Sequence, residues 1–450
     1  MKRKTVVAIA LGIALAIAAI AAVTVVLLRS DKASLIGSPT GTTLADDSST
    51  FVTVKDGEFM LAGRPYHFAG ANFWQGMNMG ASGPTGDRDR LVRELEHLKQ
   101  LGITNLRVMA ASEGPNSEPQ RIRPALMTSP GVYNENVLDG LDYLLAEMGK
   151  LELRAVLVLN NYWQWTGGMA QYVSWHYESP IPYPGDWNEF MAYSAQFFTC
   201  DECQTWYRDH IAYLVGHTNR YTHTKYRDDL TIFSWELANE PRDYLDDWID
   251  DTAAYIKSLD PNHLVTTGSE GNPTGTSDAF KRAHDGPNID YATIHIWPQN
   301  WGWYEPLQAS VTARYAGANA EAFLGSRTEI AAELDKPLVL EEFGLARDWE
   351  PLNDIYDARA PTTYRDRFYE LLLGDVYASA SSGGPLAGFN FWAWSGEARP
   401  GNKWIGDPPH ETPGWYSVYK TDKTTETIIS TFARAMNRLP AKSDAPVSPA

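Results

Sequence analysis

Glu240 and Glu342 each follow a short apolar run and stand among polar and aromatic residues. Glu240 lies in Trp235-Glu-Leu-Ala-Asn239-Glu240-Pro241-Arg242, and Glu342 in Glu341-Glu342-Phe343-Gly344. Two carboxyl groups facing one site can divide the work of breaking a glycosidic bond. One protonates the leaving oxygen; the other attacks the sugar carbon or activates a water. The acid must keep its proton near neutral pH, so burial or a neighbouring carboxylate must raise its pKa. The nucleophile must stay ionised, and Arg107 can supply the cation it needs. His295 can orient the acid. The bland alternative, two unrelated salt-bridge glutamates on a rim, does not account for the company of Asn239, Arg107, His295 and Trp392.

These residues need elements that converge. Short apolar runs occur at Tyr66–Phe73, Asn105–Ala110, Ala155–Asn160, Ile232–Leu237, Leu264–Thr267, Ala292–Trp297, Leu338–Leu340 and Gly388–Trp394. Between most of them lie helical periods, such as Leu91/Leu95/Leu98, Val137/Leu141/Leu144/Leu145/Met148, Leu245/Trp248/Ile249/Ile256 and Ile428/Ile429/Phe432/Met436/Leu439. The fifth helix, near Asp278–His284, has the weakest pattern. Alternation of this kind implies an α/β fold, a (β/α)8 TIM barrel preceded by a hairpin turning at Asp56-Gly57. A doubly wound sheet is the alternative, without its glycine-rich phosphate loop. Barrel chemistry sits at the C-terminal ends of strands. Neighbouring strand residues point to opposite faces, so only one of Glu341 and Glu342 faces the mouth. The Glu-Phe-Gly pattern favours Glu342 and leaves Glu341 behind the barrel wall. Long insertions around Thr166–Phe198 and Trp301–Glu333 lie in the βα loops.

Trp235 to Arg242 resembles the Asn-Glu-Pro signature of glycoside hydrolase family 5, in clan A, and the resemblance runs from about Phe51 to Leu439. Gly70-Ala-Asn72-Phe-Trp74, Asn160-Asn161-Tyr-Trp163-Gln-Trp165-Thr-Gly167-Gly168 and Ala-Asn239-Glu240-Pro-Arg242 look most like its endo-β-1,4-mannanases. The resemblance implies that Glu240 is the general acid/base, Glu342 the nucleophile and Asn239 the ligand of the sugar 2-hydroxyl. It implies that Arg107 pairs with the nucleophile and that His295 and the aromatic two residues on contact both carboxylates. That aromatic is often Tyr in the family; here it is Trp297, whose indole N–H must replace a phenol. Trp392 would be the platform at the cleavage point, and Arg242 a contact on the leaving-group side. Asn161, Trp163 and Trp74 complete the implied binding set. Retention of configuration is implied, with no metal or organic cofactor, on mannan, glucomannan or galactomannan. A β-glucanase (cellulase) or an exo-β-mannosidase of the same family is the runner-up. A transglycosylase, or a catalytically silent carbohydrate-binding protein on the same scaffold, remains open.

The rest of the chain sets the context. Lys plus Arg is 38 and Asp plus Glu is 56, a formal net charge of −18 that argues against a nucleic-acid partner. With 16 Trp and 23 Tyr, an acidic chain suits flat, uncharged, hydroxyl-rich ligands. Trp74, Trp163, Trp165, Trp301 and Trp303 fall in loops where they could stack on sugars. Cys200 and Cys203 are expected to form a local disulfide, as an exported chain allows. Asp243, Asp246, Asp247, Asp250 and Asp251 read as the solvated face of a helix, and His210, His217 and His284 as packing or surface residues. Lys2-Arg3-Lys4 precede an uncharged stretch from Thr5 to Leu28, long enough to cross a bilayer core of about 30 Å. An uncleaved anchor over residues 1–29 is favoured over a cleaved signal peptide. Residues 30–50 read as a flexible tether, 51–439 as the catalytic domain and 440–450 as a disordered tail. The expected protein is exported, extracellular or in the cell envelope, membrane-attached by its N-terminal segment, and monomeric.

Overall fold

A computed structural model describes residues 50–183, 185–245, 247–271, 276–349 and 357–439. The expected anchor (1–29), tether (30–50, but for Thr50) and tail (440–450) fall outside the described residues. Among the described residues, no helix is long and apolar enough to cross a membrane.

Eight parallel strands form the central sheet: β1 Phe68–Asn72, β2 Asn105–Met109, β3 Arg154–Val158, β4 Ile232–Glu236, β5 Leu264–Thr266, β6 Ala292–Ile296, β7 Leu338–Phe343 and β8 Leu386–Phe391. Their order is β5-β4-β3-β2-β1-β8-β7-β6. No ladder pairs β5 with β6 among the described residues. That seam is held by Asp290 N donating to Val265 O at 2.8 Å, His295 N to Glu270 O at 3.1 Å, and the hydroxyls of Thr266 and Thr293 to Tyr291 O and Ser269 O. The sheet is thus a nearly closed (β/α)8 barrel.

Helices follow each strand: α1 Arg88–Leu101, α2 Glu135–Lys150, α3 Asp201–Gly216, α4 Trp248–Leu259, α5 Ser277–His284, α6 Ala309–Glu333, α7 Thr363–Ser381 and α8 Lys423–Met436. Asp87 caps α1 by accepting from Arg90 N, and Gly102 ends it in the left-handed region. The apolar stripes read from the sequence are buried against the strands. Leu245 is an exception: it precedes α4 and is 47% exposed. Asp250 and Asp251 are exposed on α4 as expected. Asp243 instead accepts from Tyr162 Oη ahead of the helix, and Asp246 lies outside the described residues.

The barrel interior has a floor and a mouth. At the floor, Phe68, Val156, Phe233, Leu264, Tyr291 and Val339 cluster with Val52 and Phe59. Phe59 belongs to the N-terminal three-stranded antiparallel sheet, residues 53–55, 58–61 and 64–65, and Val52 immediately precedes it. Phe59 meets Phe233 and Tyr291 edge to face at 5.2 and 5.3 Å, so this sheet plugs the barrel from below. At the mouth the lining turns from aliphatic to aromatic and charged.

The insertions have structure of their own. The first carries helices Gly168–Tyr177 and Trp187–Ser194, and Cys200 and Cys203 form a disulfide at the start of α3. The second is largely the long α6, on which Trp301 and Trp303 pack against Phe323 and each other. Both are only partly buried, and Trp301 also packs against the aromatic cluster of the mouth. His210 and His284 are buried with hydroxyl partners Tyr133 and Thr267, and His217 pairs with Asp142.

Candidate active site

Arg107 organises the mouth. All five of its N–H groups are used: Nε and Nη2 donate to Glu236, Nη2 also to Asn239 Oδ1, and Nη1 to Asn72 Oδ1 and Glu342 Oε1. One guanidinium from β2 thereby fixes side chains from β1, β4 and β7. Burial disfavours its charge, but Glu236, Glu342 and Glu341 outweigh burial and hold its pKa well above the usual arginine value.

Glu342 is 3% exposed. Besides Arg107, Trp297 Nε1 donates to its Oε2 at 3.2 Å, and His295 Nδ1 lies 3.3 Å from the same oxygen. The indole therefore supplies the bond that a tyrosine hydroxyl would otherwise make. Burial pushes the Glu342 carboxyl up, with His295 and Arg107 pulling against it.

The ladder explains how two adjacent glutamates both serve the interior. Ile294 pairs with Leu340 but His295 pairs with Glu342, so Glu341 is the extra residue of a bulge. The bulge re-aims Glu342 towards the mouth. Glu341 is not behind the barrel wall, as strict alternation requires. Its Oε2 lies 3.7 Å from Arg107 Nε and 3.5 Å from His295 Nε2, in the same charged cluster.

Glu240 follows β4 with φ 49°, a left-handed conformation that costs a non-glycine residue about 1–3 kcal/mol. Its backbone N–H donates to Gly268 O at 2.9 Å. His295 Nδ1 lies 2.7 Å from Oε1, and Trp163 Nε1 donates to Oε2 at 2.6 Å. Burial would raise this carboxyl, but His295, by hydrogen bond and by charge, then Arg242 and Trp163, hold it down to about 2. Burial likewise opposes charge on His295, yet Glu342 and Glu240 lift it to about 10. The acid is thus a pair: the proton rests on His295, one hydrogen bond from Glu240. Glu240, His295 and Glu342 each offer an atom within 4.8 Å of the others, a spacing that would also admit a divalent cation.

Other expected residues are close by. Asn239 Nδ2 donates to Asn161 Oδ1 at 3.1 Å while its Oδ1 is held by Arg107, so the amide is fixed beside Glu240. Arg242 lies 4.9 Å over the Trp163 ring and pairs with Glu270. Trp392 is 4% exposed and meets Trp165 and Trp297 edge to face. Trp74 is tied down through Nε1 to Gly406 O at 2.7 Å and meets Trp165 at 5.7 Å.

Several site residues do not stand out in the sequence. Glu236, on β4, is pushed up to about 8 by burial against the pull of Arg107. Glu270, after β5, is raised to about 8 by burial and by Glu240. Glu411 reaches the site from the loop after β8; burial, then Asp407, Glu342 and Glu240, push it well above the carboxylate range. Six carboxyl groups (Glu236, Glu240, Glu270, Glu341, Glu342 and Glu411) thus share the mouth with Arg107, Arg242 and His295, and the crowding shows in Glu236, Glu270 and Glu411, each raised by burial and by neighbouring carboxylates.

This β8 loop packs against the mouth. Asp407 organises it, accepting from the backbone N–H groups of Gly414 and Tyr416 at 2.7 and 2.6 Å. His410 stacks on Trp165 at 6.2 Å, 12° from parallel, next to Glu411.

Residues 49–441 match the family model for family 5 β-mannosidase-like glycoside hydrolases. A putative mannan endo-1,4-β-mannosidase 9 from Oryza sativa subsp. japonica is 33% identical over 84% of this chain and 88% of its own. A family 5 mannosidase structure from Rhizomucor miehei is 40% identical, with TM-score 0.83 over 87% of this chain and 99% of that one; a mutant of that enzyme has been solved with mannosyl-fructose. An endo-β-1,4-mannanase from Thermotoga petrophila is 25% identical, with TM-score 0.63 over 84% of this chain and 78% of that one.

Proposed function

The chain belongs to glycoside hydrolase family 5, in its β-mannosidase-like group, and from that premise we propose that it hydrolyses internal β-1,4-mannosidic bonds of mannan, glucomannan or galactomannan with retention, using Glu342 as nucleophile and Glu240 as acid/base. The observation that carries the mechanism is the separation of the two carboxyl groups, with one oxygen of each within 4.8 Å. Retaining pairs stand about 5–5.5 Å apart, whereas inverting pairs need about 6.5–9.5 Å to admit a water.

The sugar at the cleavage point rests on Trp392, and Glu342 attacks its anomeric carbon. As the Glu342–carbon bond forms, the bond from the anomeric carbon to the leaving oxygen breaks and the carboxylate becomes an ester. The charge that chiefly sustains the His295 cation is spent in the same step, and the proton passes along the 2.7 Å bond to Glu240 and on to the departing oxygen. Glu240, now ionised, takes a proton from water, which attacks the same carbon from the face the leaving group vacated. Two inversions give net retention. Asn239, locked by Arg107 and Asn161, presents its amide to the 2-hydroxyl.

A second reading, release of single mannose units from chain ends, is favoured by the β8 loop. Trp74–Gly406 and Trp165–His410 contacts draw it against the mouth, and Glu411 is buried within reach of both Glu342 and Glu240. The test is a time course of products from residues 30–450 with glucomannan, unbranched mannan, cellulose and mannohexaose. Oligomers from mannan with cellulose untouched support internal cleavage; mannose alone keeps the catalytic pair and assigns the loop as a cap. Cleavage of cellulose overturns the substrate, and no product from any of them restores the carbohydrate-binding reading.

We also propose that the enzyme works outside the cytoplasm, attached through its N-terminal segment. The basic start, the apolar stretch from Thr5 to Leu28 and the Cys200–Cys203 disulfide support this. Activity that stays in the soluble cytosolic fraction after cell breakage would overturn it.

A further inference from the structure

Trp187 is among the large hydrophobic residues left open to solvent, 49% exposed, and it stands beside the acid/base limb. It occupies the first turn of the insertion helix Trp187–Ser194, whose cap Asp186 accepts from Asn188 N at 2.9 Å. The helix is fastened to the loop after β3 from both sides: Ser194 Oγ donates to Tyr162 O at 2.8 Å, and Tyr162 Oη to Met191 O at 3.1 Å. Trp187 meets Trp163 at 5.6 Å and 90°, and Phe190 at 6.2 Å and 88°. Both neighbours meet it edge to face rather than stacked, and about half of the residue stays open to solvent. Trp163 in turn donates to Glu240 and carries Arg242 over its ring.

Resting on the mannan-hydrolase reading, we propose that Trp187 is the platform for a sugar on the leaving-group side, beyond the one in contact with Trp163 and Arg242. The side follows from chemistry. Glu240 delivers its proton to the leaving oxygen, so neighbours it does not share with Glu342 lie towards the departing chain. Trp163, Arg242 and Glu270 are such neighbours, and Trp187 is the next aromatic outward. The ligand class follows from charge and shape. Arg242 is already engaged by Glu270 and lies in the field of Glu240, so no free cation is left to hold an acidic sugar. A flat indole suits the C–H face of a neutral pyranose. Held on a capped helix, the ring is already in place, and binding a sugar there costs little ordering.

The experiment compares Trp187→Ala and Trp187→Phe with wild type on mannotetraose and on an aryl β-mannoside, which has no sugar beyond the cleaved bond. The expected result is a fall of about tenfold in the ratio of kcat/KM for mannotetraose to that for the aryl mannoside in Trp187→Ala, mainly through KM. Trp187→Phe should recover part of it. An equal fall on both substrates would mean that Trp187 only props Trp163, and no change in either would mean that no sugar reaches it; both outcomes overturn the proposal. Wild type inactive on every mannoside would instead remove the functional reading on which the proposal rests.

Discussion

Trp297 Nε1 and Glu342 Oε2 are 3.2 Å apart, so an indole N–H holds the carboxylate at a position where related enzymes often have tyrosine. Hydrogen bonds to charged groups contribute about 1.5–3 kcal/mol, which converts to about 10–100-fold in rate if the bond matters in the transition state. Trp297→Phe keeps a ring against Trp392 and Tyr416 but removes the donor. Its kcat/KM should drop by that factor, and Trp297→Tyr should restore part of it. Unchanged kinetics in the phenylalanine variant would show that Arg107 and His295 orient the carboxylate without the indole.

Arg107→Lys preserves the charge but cannot span the fork. An ammonium has three donors on one atom, whereas the guanidinium binds Glu236, Asn239, Asn72 and Glu342 together. Turnover should fall at least about 100-fold, and urea unfolding should show a loss of up to about 3–5 kcal/mol, the scale for a broken buried ion pair. Wild-type stability in this variant would contradict the clamp.

The two glutamates should separate by substrate. Glu342→Ala should abolish turnover on every mannoside while circular dichroism stays that of the folded protein. Glu240→Ala should slow natural substrates far more than aryl mannosides with good leaving groups, which need little acid help. Equal losses on both would remove Glu240 from the acid role.

Glu113 offers a pH test of a buried carboxyl away from the pair. Its Oε2 accepts from Gly168 N at 2.7 Å and so supports the turn beneath Trp163. Gly167 and Gly168 have φ of 104° and 57°, and a Cβ on either would lie 2.4 Å or less from a backbone oxygen. Burial raises Glu113 from 4.5 to about 7. A carboxyl raised in the folded state contributes stability that is complete below its unfolded pKa and is lost as pH rises through the folded value. Wild-type Tm should therefore carry a downward contribution between about pH 4.5 and 7 that Glu113→Gln lacks. Wild-type and variant Tm curves that run parallel from pH 4 to 8 would refute this.

The sequence reveals the barrel because its strands are buried on both sides and read as unbroken apolar runs, and because the helices between them carry one apolar face. Glu240 and Glu342 are legible for the same reason: each ends such a run, and a strand end in a barrel is a site. Glu341 misled because alternation is a rule for regular strands, and the bulge that breaks it leaves no mark in composition. Glu411 comes from a long loop without periodicity, and its approach to the pair depends on Asp407 folding that loop. Glu270 follows β5, the shortest of the eight strands. Leu245 fits the helical period of α4 by coincidence of spacing and precedes its first turn.

The seam between β5 and β6 gives the barrel a preferred place to part. Among the described residues seven junctions are ladders, while the eighth rests on two backbone bonds, the bond from Val265 N to Asp290 Oδ2 and side-chain hydroxyls. The residues that flank this joint are Glu270 and His295, and His295 carries the proton that Glu240 must deliver. Warming should therefore disable the enzyme by local breathing before the barrel melts. Inactivation should run some degrees ahead of the loss of far-ultraviolet ellipticity, and amides of β6 should exchange with deuterium sooner than those of β2 and β3.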